Sequence, residues 1–329
     1  MKFKPSTIKD IALALGLSTS TVSRALRDSY EIKQETKDLV IAYAKKINYQ
    51  ANPIAQSLKE RKSYSIGIIV SEIANTFFSQ VINGVESVAH KRKYQVIITQ
   101  SHESYQQERI NAEYLASRSI DGLLVALSSE TNDPSYLADL YKMGLPIVFF
   151  DRVPEHFETH KVTVNNFQGA FDATEYLIQK GYTRIAHITN TASLSISKER
   201  LEGYQAALEK HHLEFDPQLL KFCEKGGMLT EELDLAAEEL VSAQAEAVFI
   251  ASDRLTTGFM LAINRLGVPA LDIAGFTNSE VVDLFSPAIK AVRQPAFQIG
   301  QVATGLLIDM IESKYPVTEF QHIVLETEI

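Results

Sequence analysis

Thr19, Ser20, Ser23 and Arg24 stand close together and have the side-chain types that read DNA. Short hydroxyls let a helix sink into the major groove, and an arginine can pair bidentately with guanine. The alternative is a solvated surface helix. A second set of polar residues stands just after short apolar runs: Ser71, Asp151, Ser252, Asp253 and Thr277. A carboxylate at Asp151 can accept hydrogen bonds from two hydroxyls of a sugar, or it can pair with Arg152. Asn75, Phe77 and Phe78 follow the first run, where aromatic rings can stack on a sugar face or pack internally. Arg200 falls near an expected helix start, where its charge gains nothing from the helix dipole, and this favours a ligand role. Asp253 reads equally as the N-cap of a helix beginning at Leu255.

Other chemistries lack their residues. Cys223 is the single cysteine, so neither an internal disulfide nor a cysteine zinc site is expected. The eight histidines have no metal-type spacing. No Gly-x-Ser-x-Gly, no Gly-x-Gly-x-x-Gly after a strand and no phosphate loop ending in Gly-Lys-Ser/Thr occurs. An enzyme is therefore not expected, nor a cofactor or metal.

Charge separates the chain into two parts. Residues 1–62 hold nine Lys and three Arg against six acidic residues, a net of +6, while the whole chain is −9. A basic head on an acidic body suits a head that meets a polyanion. The 329 residues suit about two domains with room for a small third. The first residues lack an apolar signal core and no run is long enough for a membrane helix, so a cytoplasmic protein is expected.

The head reads as three helices. Thr7 and Asp10 have capping-box spacing, and Ile8, Ile11, Ala12 and Leu15 make one apolar face. Gly16 stops that helix. Ser18 caps a second one over 19–26, and the pair makes a helix-turn-helix. A third is expected over 34–47, with Leu39, Val40, Tyr43, Ala44 and Ile47 buried. Asn52 and Pro53 then suit the start of a short helix over 53–60.

Thr7-Ile8-Lys9-Asp10, the run from Gly16 to Leu26, and Asn52-Pro53-Ile54-Ala55-Gln56-Ser57-Leu58 resemble the headpiece and hinge of the LacI/GalR (lactose-repressor) family of bacterial transcription regulators. The resemblance implies that Thr19, Ser20 and Arg24 face major-groove bases, with Thr7, Ser18, Thr21 and Ser23 in the same DNA-binding set. It implies that Asn52, Ala55 and Leu58 enter the minor groove, where a leucine from each subunit wedges between base pairs. Ala51 and Pro53 depart from the family, whose members often have proline before the asparagine.

After Tyr64, apolar runs alternate with amphipathic stretches, the pattern of parallel sheets covered on both faces. About ten such units, broken by a charged and proline-bearing stretch at 152–160, indicate two α/β lobes. Ligands in such folds bind at the carboxyl ends of strands. The family resemblance extends over this body through Asp121-Gly122, Val148 to Arg152, Arg200 to Gly203, Ser252-Asp253 and Gly275-Phe276.

The implied fold is an all-α helix-turn-helix headpiece (1–50), a hinge (51–62) and a periplasmic-binding-protein-like body (63–329) of two Rossmann-like lobes with parallel sheets. The first lobe would take 63–161 and 292–320, the second 162–291 and 321–329, joined by three crossovers. The effector set is then Ser71, Asn75, Phe77, Asp151, Arg200, Ser252, Asp253 and Thr277. Thr277 stands where many members have aspartate, and Asn165-Asn166 reads as capping. Expected partners are a double-stranded operator, a carbohydrate-related effector and a second copy of the chain. No leucine heptad follows the terminal run 325–329, so a dimer is expected rather than a tetramer.

Overall fold

A computed structural model of the chain describes residues 6–50, 62–284 and 289–329. It divides into two compact units, Met1–Ser63 and Tyr64–Ile329.

The first unit is helical. In α1 (Ile8–Leu15) the Thr7 hydroxyl accepts from the Asp10 N–H, and the Asp10 carboxylate accepts from the Thr7 N–H at 2.8 Å. This satisfies two donors that a helix start leaves orphaned. Gly16 ends the helix at φ +63°, a conformation that costs glycine little. Ser18 caps α2 (Thr19–Ala25) by accepting from the Thr21 N–H at 3.0 Å. Ile11, Ala12, Val22, Ala25, Val40 and Ala44 form the core, the last two from α3 (Gln34–Lys46). Leu39 does not join them: it is 52% exposed, because the buried stripe of α3 runs through Val40 and Ala44. Asn52, Ala55 and Leu58, with the expected hinge helix, lie outside the described residues.

In the second unit the elements are β1 (Ser65–Val70), α4 (Thr76–Lys91), β2 (Gln95–Gln100), α5 (Tyr105–Ser117), β3 (Gly122–Val125), α6 (Ser135–Lys142), β4 (Ile147–Phe150) and β5 (Lys161–Val164). Then follow α7 (Asn166–Gln179), β6 (Ile185–Asn190), α8 (Ser195–Lys210), β7 (Leu220–Cys223), α9 (Thr230–Ser242), β8 (Ala247–Ile250) and α10 (Asp253–Leu266). The chain closes with β9 (Asp272–Phe276), β10 (Lys290–Val292), α11 (Ala296–Glu312) and β11 (His322–Leu325). One sheet has the order β11-β5-β4-β3-β1-β2 and the other β10-β9-β8-β6-β7, and all the strand pairs within them are parallel. Strands covered on both faces must be apolar throughout, as β3, β4 and β8 are. In both sheets the strand order reverses beside the first strand of the lobe, leaving a crevice at the carboxyl ends.

The lobe boundaries differ from expectation. Residues 162–164 and the strand at 322–325 belong to the first sheet, because β5 pairs with β4 through Phe150 and Val162, and β11 pairs with β5. Backbone hydrogen bonds, which apolar pattern does not reveal, assign them there. The short 3-10 turn at 217–219, β7, β10 and α11 are elements that the apolar pattern had not marked. The α8 helix begins at Ser195, well before Arg200. Arg200 is therefore in its second turn, where the dipole argument no longer applies.

Candidate functional site

The outward side of α2 carries the head's candidate groups. Thr19, Ser20 and Arg24 are exposed, and Val22 and Ala25 anchor the opposite face in the core. Ser18 is committed to its cap and also lies 2.7 Å from the Ser20 hydroxyl. Ser23 accepts from Arg27 Nη2 at 2.7 Å, and Thr7 is engaged by Asp10. Thr21 contacts the Ser18 hydroxyl at 2.8 Å. Arg24 pairs with Glu31 at 3.1 Å, and both are well exposed, so the pair is easily exchanged for another acceptor.

In the body, residues after the strand ends come together in a buried polar cluster. Asp151 follows β4 with φ +58° and is 6% exposed. Burial pushes its carboxyl above the usual range, against the pull of the Arg152 and Arg200 charges. Arg152 Nε stands 3.8 Å from Asp151 Oδ2, while Arg152 Nη1 donates to both Glu103 oxygens at 2.8 and 2.6 Å. Burial would raise the Glu103 carboxyl, but the Arg152 charge and hydrogen bond, with the Ser129 N–H, hold it below the ordinary range. Ser71 also bonds Glu103 through its side chain.

Arg200 reaches the same place from α8. Its Nε donates to Asn166 Oδ1 at 2.9 Å, its Nη1 donates to the Ala251 carbonyl, and its guanidinium lies 3.7 Å from the centre of the Phe276 ring. Burial brings its pKa down to about 10, opposed by Asp151, so it stays charged at neutral pH. Within this region Arg152 Nε and Ser129 Oγ are buried without a hydrogen-bond partner among the described residues, while the Gln294 side chain bonds Asp151. Buried polar atoms in native proteins are nearly always paired, so a cluster of unpaired ones is a mark of ligand chemistry.

The remaining expected residues have other duties. Asp253 does not cap a helix starting at Leu255: the helix starts at Asp253 itself, with Ser252 as its N-cap residue. The Asp253 carboxylate instead accepts from the Thr277 hydroxyl and from the Asn278 and Ser279 N–H groups. Thr277, standing where an aspartate was expected, thus acts as a donor to Asp253. Asn75 caps α4 through the Phe77 N–H at 2.9 Å, and with Asp253 it borders a cavity of about 410 Å³. Phe77 is 5% exposed and packs edge-on against Phe78 in the core, so it takes the packing role, not the stacking one.

Glu103, Asn166, Phe276 and Gln294 were not among the expected effector residues. Glu103 and Gln294 each follow a strand end, the same signal that singled out Asp151. Asn166 had been read as structural, and it is what orients Arg200.

A sequence profile described as "Bacterial regulatory proteins, lacI family" matches residues 7–52. Another, described as "Periplasmic binding proteins and sugar binding domain of LacI family", matches 63–314. The HTH-type transcriptional repressor PurR of Vibrio cholerae is 30% identical over 314 residues, covering 94% of this chain and 92% of that protein. The putative ribose operon repressor of Burkholderia thailandensis is 32% identical with a TM-score of 0.73, over 81% of this chain and 98% of that one. The transcriptional regulator CelR in complex with cellobiose is 27% identical with a TM-score of 0.69, over 98% of both chains.

Proposed function

Since the chain belongs to the LacI family of bacterial regulatory proteins, and so is a DNA-binding transcription regulator with an effector domain rather than an enzyme, we propose that it represses from a palindromic operator as a homodimer under control of a carbohydrate effector. A single short recognition helix contacts few base pairs, and two-fold pairing of heads doubles the site. In this reading Arg24, Thr19 and Ser20 contact base edges, and the protein works in the cytoplasm, where the operator is.

The observation that carries the effector reading is the cluster of Asp151 and Arg152, after a strand of the first lobe, with Arg200 from a helix of the second, all buried together. Carboxylate and guanidinium groups side by side, with an aromatic ring at Phe276, suit the hydroxyls and apolar face of a sugar. The solved relatives described with cellobiose and with a ribose operon support a carbohydrate as the ligand.

The test is operator binding by fluorescence anisotropy with and without effector. Arg24→Ala is expected to cost about 1–3 kcal/mol and relax specificity at one position per half-site. Arg200→Ala is expected to leave effector-free operator affinity within about twofold and to shift the effector midpoint at least tenfold. An unchanged midpoint removes Arg200 from the site.

A further inference from the structure

β11 ties the two lobes together. Its residues His322–Leu325 pair with Lys161–Val164 of the first sheet. Just beyond it, the Glu328 and Arg293 backbones exchange hydrogen bonds at 2.7 and 2.9 Å, and Arg293 directly follows β10 of the second sheet. β11 therefore carries the chain from one sheet to the other. It is also an edge strand, paired on one side. An edge strand has half the ladder of a central one, so side chains that reach its end can hold or release it.

Two histidines reach β11. Gln321, the residue before it, donates its N–H to His160 Nδ1 at 2.9 Å and accepts at its carbonyl from the Lys161 N–H at 2.9 Å. His322 Nε2 stands 2.9 Å from the Thr163 hydroxyl. The two bonds respond differently to a proton. A hydroxyl both donates and accepts, so Thr163 serves a neutral or a charged His322. A backbone N–H only donates, so His160 Nδ1 must be bare to accept from Gln321. A protonated His160 sets N–H against N–H, and that bond is lost. His160 is 6% exposed, with the Phe320 ring edge-on at 5.6 Å. Gln321 is exposed, so its freed N–H can turn to water and opening leaves no buried orphan.

The surrounding charges do not reverse this. Asp309 of α11 faces His160 and favours its charged form, but Asp309 is already paired with Arg92 of α4 at 2.9 Å. Lys161 of β5 turns its ammonium to the Pro154 and Glu155 carbonyls, and β4 contributes the Phe149 N–H to the His160 carbonyl at 3.1 Å. Lys161 and Glu199 of α8 bear on His322 instead. Burial prevails and holds the His160 pKa below the ordinary histidine value of about 6.5. A depressed folded pKa means that the contribution of His160 to stability is complete above about pH 6.5. It is lost as pH falls through the lowered folded value.

We propose that His160 is an acid-sensitive clip: neutral, it fastens the start of β11 to the first lobe; protonated, it releases the strand that links the lobes. The test is hydrogen exchange, resolved to single amides, on the full chain without ligand at about pH 7.5 and about pH 5. Each amide is read as a protection factor, which removes the intrinsic pH dependence of exchange. In the parent, Gln321 is expected to lose at least about tenfold in protection at the lower pH. Glu328, whose N–H crosses to Arg293, is expected to fall with it. The amides of β8, a central strand, are expected to keep theirs. His160→Asn offers an oxygen where Nδ1 stands and does not titrate, so its Gln321 protection should stay within about twofold between the two pH values. His160→Ala should leave Gln321 poorly protected at both.

A Gln321 protection that is flat with pH in the parent overturns the clip, and so does an equal fall in His160→Asn. A fall at Gln321 with Glu328 unchanged overturns the release of the link between lobes. An equal fall in β8 is global unfolding and overturns the proposal as a whole.

Discussion

Asp151 concentrates the cost of the site in one residue. Its φ of +58° is tolerated by aspartate and asparagine better than by most side chains, and its carboxyl is buried between two arginines. Because burial raises its folded pKa, the native state resists ionising it. The stability this residue contributes is present in acid and falls as pH rises through the raised pKa, since the unfolded chain then loses its proton first. Asp151→Asn keeps the backbone conformation and removes the ionisation. The variant is expected to melt at a higher temperature than the parent at neutral pH. The difference should close below about pH 4, the ordinary aspartate range, and effector binding should be lost. Melting curves from acid to neutral pH check the sign; a gap that widens in acid contradicts it.

Helices set how closely the parts approach. In the first lobe α4 and α11 touch through glycines. A Cβ on Gly84 would stand 2.0 Å from the Phe297 carbonyl oxygen, and one on Gly300 would stand 2.1 Å from that of Val81. Backbone cannot yield as a side-chain tip can, so Gly300→Ala must push the helices apart. The expected loss is about 1–3 kcal/mol, measured by urea denaturation, with operator recognition by the separately folded head kept in the surviving protein. The alternation of strand and helix in the body was legible, because parallel strands and amphipathic helices have different periods. Sheet membership of β5 and β11 was not, because both lobes present the same alternation and only hydrogen-bond register assigns a strand to one of them.

Across the body, polar contacts among the described residues join the lobes, among them Lys225 with Glu130, Arg254 with Glu72, and Asn278 Nδ2 with Gln80 Oε1 at 2.7 Å. They favour the arrangement in which Asp151 and Arg200 face one another. An effector contacting both lobes shifts operator affinity only by its differential affinity for the lobe arrangements, typically about 1–3 kcal/mol. Removing this exposed pair by Lys225→Ala should weaken that arrangement only slightly, because solvent screens the two charges. The expected result is a modest weakening of effector binding by calorimetry, up to about fivefold. Equal effector affinity in variant and parent would mean the pair does not bias the lobes.

Local chemistry was decided in the sequence. The Thr7–Asp10 capping box, the glycine stop at Gly16, the Ser18 cap and the outward hydroxyls of α2 depend on neighbours within four residues, so spacing alone specified them. Asp151 was legible as a candidate because a carboxylate directly after an apolar run departs from its surroundings, whereas the dipole argument for Arg200 does not survive the observed helix start at Ser195. What they meet was decided only by the tertiary structure. Glu103, Asn166 and Gln294 lie far from Asp151 and Arg200 or from one another along the chain, and their roles arise when the ends of separate strands converge. The same holds for Asp253, which the sequence offers as a cap for its own helix. Folding delivers Thr277 and two backbone N–H groups to its carboxylate instead. A buried carboxylate takes the donors that packing brings within reach, and packing is a property of the whole chain.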